Sequence, residues 1–329
     1  MDIQNQPGSE SETLNGESLS SETVCQEPIN SESQDAFNQN KNRLMLTYLS
    51  AMLATVLWAS AFPATRYALQ YYSPVSLMVM RFVAASITLI IIGIIIKIRL
   101  PKLKDIPMFI VSGISGVFLY SYLFNTGSVS VPAGVSSFII ASSPIFTLIL
   151  TRTFLKETVK PGCWLGVLLS FCGLAAVTLT QVTEFTLDIG VFLIICAALC
   201  SGVYSTVMRV LTQRYTALEA TTYTIIAGTF GTLLFLPTAI GEMPDSNLPV
   251  NLLVIFMGVF PAAIAYLAWS YALSKAKKTA HVTVFSYLIP FISALIAYFW
   301  LKETLSLYVL FGGIVIITGM ILTNIFDRK

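Results

Sequence analysis

Leu155-Lys156-Glu157-Thr158 recurs letter for letter as Leu301-Lys302-Glu303-Thr304, and the same shift of 146 positions superposes Tyr120 on Tyr266, Pro144 on Pro290, Gly166 on Gly312 and Gly173 on Gly319. The chain is an internal duplication. Each period holds about five apolar runs of the length a helix needs to cross hydrocarbon. An odd number of spans per copy forces the second copy to enter the bilayer from the opposite side, which is the arrangement of inverted-repeat transporters.

Ten such runs are legible, over 46–70, 75–96, 106–126, 132–155, 162–180, 188–210, 218–240, 250–273, 280–301 and 305–326. With 55% of residues hydrophobic and only 11% charged, the chain lacks the polar side chains to coat a soluble core of this size. Inside a bilayer the backbone must satisfy itself, which leaves helices or closed barrels, and the runs lack the period-two alternation of barrel strands. The expected fold is an all-α integral membrane protein of ten transmembrane helices, arranged as a 5+5 inverted-topology repeat. Residues 1–43 read as a disordered acidic cytoplasmic tail, 44–182 as the first five-helix repeat and 183–329 as the second. Up to Asp35 the tail holds eight acidic residues and no Lys or Arg.

Sorting the basic residues by loop places sixteen of nineteen on one side, from Lys41 and Arg43 through Lys97–Lys104, Arg152–Lys160, Arg209 with Arg214, and Lys275–Lys278 to Arg328 and Lys329. Arg66 and Lys302 fall on the other side, and Arg81 lies within a span. The rich side is expected to be cytoplasmic, so both termini face the cytoplasm of a cell inner (cytoplasmic) membrane. Loops carrying Glu184 with Asp188 and Glu242 with Asp245 fall outside. The five cysteines form no CxxC motif and read as reduced thiols, Cys196 and Cys200 as packing residues.

These features resemble a known family, the drug/metabolite transporter superfamily and its EamA-type members, over about residues 46–326. The resemblance rests on Leu57-Trp58-Ala59-Ser60-Ala61-Phe62 with Arg66, on Arg81-Phe82, on the Pro144 and Pro290 helices running into Leu-Lys-Glu-Thr, and on Ala265-Tyr266-Leu267-Ala268-Trp269 with Tyr271-Ala272-Leu273. It implies a carrier in which helices one to four of each half surround a central cavity, with helices five and ten packed behind.

Arg81 is the sharpest candidate for contact with substrate. Met78, Arg81, Ala85 and Thr88 share one helix face, and the guanidinium lies about 7 Å from the membrane midplane. Arg near a helix centre costs about 2.5–3.5 kcal/mol on insertion scales, so it faces a cavity or a partner. Its fork suits a carboxylate or phosphate; capping carbonyls or snorkelling fits the same position. Trp58 with Phe62, Tyr120, Tyr204, Tyr266 and Tyr287 supply aromatic candidates for the cavity wall. Tyr120 and Tyr266 fall about 6 Å to opposite sides of the midplane. Pro144 and Pro290 are expected to kink spans four and nine as gating elements, with Ser136, Ser137 and Thr283 adding hydroxyls. The small-residue stripes Gly162, Gly166, Ser170 and Ala227, Gly231 allow close helix packing, within the monomer or between two subunits of a homodimer.

No carboxylate occupies the hydrophobic middle of any span, and His281 sits at an expected wet helix end. Neither a clustered nucleophile and base nor paired acids is present, which argues against a membrane enzyme; a channel filter and a GxxxxGK[ST] nucleotide loop are likewise absent. No catalytic residue, metal site or cofactor is expected, and no nucleic-acid partner. The reading is a secondary transporter of a small polar or zwitterionic metabolite by alternating access, with amino-acid or metabolite efflux as the leading case. Import of a cofactor or nucleotide-like metabolite is the alternative.

Overall fold

The computed structural model describes residues 31–131, 133–158, 160–179, 189–243, 247–301 and 307–328. Most of the acidic tail, Glu184, Asp188, Asp245 and the Lys302-Glu303-Thr304 part of the second tetrapeptide lie outside these, as does the side chain of Arg66. The described residues are helical, with no strand among them. In chain order the helices are α1 Ser31–Ala68, α2 Pro74–Ile96, α3 Leu103–Ser130, α4 in two pieces (Ala133–Ile140 and Ser143–Phe154), α5 Pro161–Leu179, α6 Ile189–Leu211, α7 Ala217–Glu242, α8 Leu248–Lys275, α9 from Ala280 to Leu301, and α10 Leu307–Arg328. Among them α1 (over Asn42–Thr65), α2, α3, α6, α7 and α8 are long and apolar enough to cross a membrane. The outer faces are greasy: Ile94, Phe154, Phe230 and Leu234 are all largely exposed, as lipid-facing side chains are.

Local chemistry sets the helix ends. Ser73 caps α2 by accepting from the Ser76 N–H, with Pro74 at the first position, and Lys97 closes the helix in the left-handed region at φ 57°. Thr216 and Glu219 form a reciprocal capping box at the start of α7. The first repeated tetrapeptide is a helix terminator. Leu155 and Glu157 both donate their N–H to the Thr151 carbonyl around Lys156, whose φ of 52° turns the chain out of α4.

One expectation needs correcting at the N-terminus. The segment read as a disordered tail up to residue 43 is helical from Ser31. Once the apolar part of α1 is helical, each preceding residue adds a hydrogen bond without the cost of a new nucleus.

The repeat appears in the packing of α5 on α10. A Cβ on Gly173 would stand 2.9 Å from the Gly312 carbonyl, and one on Gly319 would stand 2.6 Å from that of Gly166. Between them Ser170 Oγ donates to the Ile316 carbonyl at 3.2 Å. Gly173 and Gly319 are equivalent under the 146 shift, as are Gly166 and Gly312 and as are Ser170 and Ile316. The contact is thus self-complementary, and residue numbers rise along one helix as they fall along the other. Equivalent helices pack antiparallel. The Gly166–Ser170 stripe is therefore used inside the chain.

His281 also differs from expectation: it is buried, not at a wet helix end. The turn before it is drawn inward because Thr279 donates its N–H and its hydroxyl to Glu157, at 3.2 and 3.1 Å. Cys172, Cys196 and Cys200 are free thiols.

Candidate functional site

Two unusual segments hold the interior together. Within α3, Ile114–Leu119 widens to a π-helix, and Gly258–Ile264 does so within α8. Pro261 accounts for the second, because it brings no N–H to the ladder and crowds the preceding turn. At the equivalent position of α3 stands Ser115, whose hydroxyl donates to the Val111 carbonyl at 2.7 Å and competes with the backbone for it. A π-segment shifts every later side chain around the helix. Tyr120 follows the first segment directly, and Tyr266 comes two residues after the second.

Carbonyls of these segments take donors from the other repeat. Tyr266 Oη donates to the Gly116 carbonyl at 2.8 Å, and Trp58 Nε1 donates to the Pro261 carbonyl at 3.0 Å. Trp58 meets Tyr266 edge-on at 5.6 Å between ring centroids and Trp269 at 4.9 Å, while Tyr204 meets Tyr266 at 5.4 Å. A second aromatic group, Phe62 with Phe124 and Tyr120 stacked on Phe124, stands beside it.

These two groups wall an internal cavity of about 70 Å³ that is partly open to the outside. Trp58 and Phe62 of α1, Arg81 of α2, Gly116, Tyr120 and Phe124 of α3, and Tyr204, Tyr266 and Trp269 of α6 and α8 line it. Ile140, Ser143 and Thr147 of α4, Ser201 and Ser205 of α6, and Thr283, Ser286 and Ile289 of α9 complete most of the remainder. Several of these are equivalent pairs under the 146 shift: Trp58 with Tyr204, Tyr120 with Tyr266, Ile140 with Ser286, Ser143 with Ile289. Among the described residues, α5 and α10 contribute nothing to the lining, and neither does α7, which the family resemblance had placed at the cavity.

Six of the seven residues anticipated at the site meet in this cavity: Arg81, Trp58, Phe62, Tyr120, Tyr204 and Tyr266. Tyr287 does not. It sits fully buried in the 3-10 turn Val284–Tyr287, packed into the core behind the wall. Ser136 and Ser137 are buried outside the lining, and Ser136 Oγ donates to the Val131 carbonyl.

Pro144 and Pro290 act differently from simple kinks. The fourth helix breaks at Ala141–Ser142, and Pro144 lies in the first turn of the piece that restarts at Ser143. The ninth narrows to the 3-10 turn, and Pro290 lies in the first turn of the following helix, Leu288–Leu301. A first-turn proline needs no N–H partner and avoids the clash it would suffer in mid-helix, so each proline restarts its helix rather than bending it.

Among the described residues that line the cavity, Arg81 is the charged one. Its Nε is buried without a hydrogen-bond partner, and its guanidinium carbon stands 5.4 Å from the centroid of the Phe82 ring. Among the described residues, no Asp or Glu lines the cavity. Trp269, 2% exposed, likewise holds a buried Nε1–H with no partner. Unpaired buried donors of this kind cost stability until something accepts from them. The π-segments and the Arg81–Trp269 donor set were not foreseen, although Pro261 within an apolar run was the one sequence signal that pointed to the former.

Gly116 lies where no side chain fits, since a Cβ there would overlap the Tyr204 ring. Gly116→Ala should therefore push Tyr204 out of the wall. The expected result is a severalfold loss of transport with normal membrane abundance. A second substitution, Tyr204→Ala, should make room for the added methyl group without restoring transport.

The fold is that of a multi-pass membrane protein with an interior cavity. The chain belongs to the EamA-like transporter family, whose model matches residues 45–179 and again 188–325. It is 32% identical over 282 residues to the uncharacterized transporter YdfC of Bacillus subtilis, covering 85% of this chain and 92% of that one. It is 33% identical over 273 residues to a probable terminal-alkyne amino-acid exporter of Streptantibioticus cattleyicolor, covering 83% and 91%. A crystal structure of a protein with 18% identity shares the fold at a TM-score of 0.71, over 86% of this chain and 97% of that one.

Proposed function

We propose that this membrane transporter is a secondary carrier of ten spans in a 5+5 inverted repeat, exporting small amino-acid-like metabolites across the cytoplasmic membrane by alternating access, with both termini cytoplasmic. The observation that carries the reading is one cavity lined by equivalent residues of both repeats, with an unpaired Arg81 Nε in its wall. Arg81 binds the substrate carboxylate bidentately. Trp58, Tyr120, Tyr204 and Tyr266 enclose the rest, and the hydroxyls of α4, α6 and α9 orient it.

The antiparallel packing of α5 on α10 supports inversion, because equivalent helices related by a two-fold axis in the membrane plane must run in opposite directions. The surplus of Lys and Arg on one side supports the orientation. The named activity of the Streptantibioticus relative, export of an amino acid, supports the substrate class. The prolines at the breaks of α4 and α9 supply equivalent joints in the two halves, as rocking between two states requires.

Two measurements test this. Single cysteines at Thr158 and Thr304 in an otherwise cysteine-free protein should react with an impermeant maleimide from opposite sides of sealed vesicles; reaction of both from one side removes the inverted topology. In proteoliposomes, amino acid on the trans side should accelerate efflux of labelled amino acid, which a simple pore would not show.

A further inference from the structure

The described lining offers a cation at Arg81 and no carboxylate, so a substrate bearing both an α-carboxylate and an α-ammonium must find acceptors for its ammonium elsewhere. An ammonium has three N–H donors and no acceptor. Carbonyl oxygens and hydroxyls are the remaining candidates, and the two helix breaks locate them.

In a continuous helix the N–H of residue i bonds the carbonyl of residue i−4. Ile140 ends the first piece of α4 and Ser286 lies in the 3-10 turn that interrupts α9, so neither carbonyl keeps that bond, and the residues four positions on, Pro144 and Pro290, have no N–H to offer. Both residues line the cavity, and they are equivalent under the 146 shift. The breaks lie in different repeats, yet each releases a carbonyl on a residue of the same wall. The Leu288 N–H is shared between the Phe285 and Ser286 carbonyls at the end of the 3-10 turn. A carbonyl oxygen has two lone pairs, so Ser286 keeps acceptor capacity. Discontinuous membrane helices use unwound carbonyls in this way to hold cationic groups.

We infer that the Ile140 and Ser286 carbonyls form an ammonium subsite, with the neighbouring hydroxyls of Ser143 and Thr283 available as the third acceptor. This rests on the proposed reading of Arg81 as the carboxylate site. The substrate class narrows to zwitterionic α-amino acids, as against plain carboxylic acids. The subsite also couples binding to motion: an ammonium shared by carbonyls from α4 and α9 ties the two repeats together, so a loaded carrier closes around its substrate where an empty one does not.

The same acceptors would suit a monovalent metal cation, and the experiment separates the two. The purified full-length protein is titrated by intrinsic tryptophan fluorescence with the proteinogenic amino acids, and each that binds is compared with its deaminated acid and its N-acetyl derivative, in sodium and in N-methylglucamine buffers. The expected result is at least tenfold weaker binding of the deaminated and N-acetyl compounds, in both buffers. Equal binding of amino acid and deaminated acid overturns the ammonium subsite and leaves the Arg81 reading standing. Amino-acid binding that appears only in sodium overturns it in favour of a cation site. No binding by any compound overturns the proposed function itself. In Pro144→Ala/Pro290→Ala both helices can run on across their breaks, and the new N–H groups then occupy both carbonyls, so the preference for the amino acid should fall towards unity while binding of the deaminated acid persists. If this variant does not remain monodisperse, the wild-type series decides alone.

Discussion

Arg81→Leu is expected to reduce transport of carboxylate-bearing substrates by about a hundredfold or more, with the protein at least as abundant in the membrane as the wild type. A hydrogen-bonded pair involving a charged group contributes about 1.5–3 kcal/mol, and a bidentate fork adds geometric fit. At about 1.4 kcal/mol per factor of ten, the loss spans roughly one to two orders of magnitude for each bond. Abundance should not fall, because leucine near a helix centre inserts more easily than arginine by about 3 kcal/mol. The described lining holds no carboxylate that would be stranded by the change. Arg81→Lys keeps the charge but offers a point donor where a planar fork fits, so it should recover only part of the flux. Flux by Arg81→Leu proteoliposomes equal to the wild type, at matched protein, would remove Arg81 from the site.

Much of this geometry is legible in the residues because hydrophobic period and repeat spacing carry it. Within the described residues the ten apolar runs fall on helices, and Arg81 lines the cavity. The repeat alone pairs Tyr120 with Tyr266, and the two share the cavity wall. What stayed hidden depends on contacts between distant segments. Tyr287 carries the same aromatic signal as Tyr204, and only the 3-10 turn, which rotates it into the core, separates them. The π-segments alter helix phase by a single residue, too small a change for a hydropathy pattern to register. Helical order over 31–43 was missed because acidic composition speaks against a packed core, not against the extension of a helix already nucleated by its neighbour.

Pairing across the chain was equally invisible, and it leads to the second large effect. Arg209 counted only as one more basic residue at a span end, and Glu157 as one more acid in a loop. In the fold they meet. Arg209 Nε stands 3.3 Å from Glu157 Oε1, and the two remaining guanidinium nitrogens donate to the carbonyls of Leu273, at the end of α8, and of Lys277, at 3.0 Å for the latter. Glu157 accepts from Thr279 in turn, so α4, α6, α8 and α9 converge on one ion pair. Arg209 is only 8% exposed. Arg209→Met would leave Glu157 without its cation and two carbonyls without a donor, and breaking a buried pair from one side costs about 3–5 kcal/mol. Since about 1 kcal/mol shifts the midpoint by roughly 2–4 °C in chains of about 150–250 residues, the apparent Tm in detergent should drop by up to about 6–20 °C at a fixed scan rate. Glu157→Gln should cost less, because the amide oxygen still accepts from Thr279 while Arg209 keeps both carbonyls. Arg209→Met/Glu157→Gln should then be more stable than Arg209→Met alone, as the stranded charge is gone. A double variant no more stable than the single one would mean that the carbonyl bonds of Arg209, not its pairing with Glu157, hold these four helix ends together.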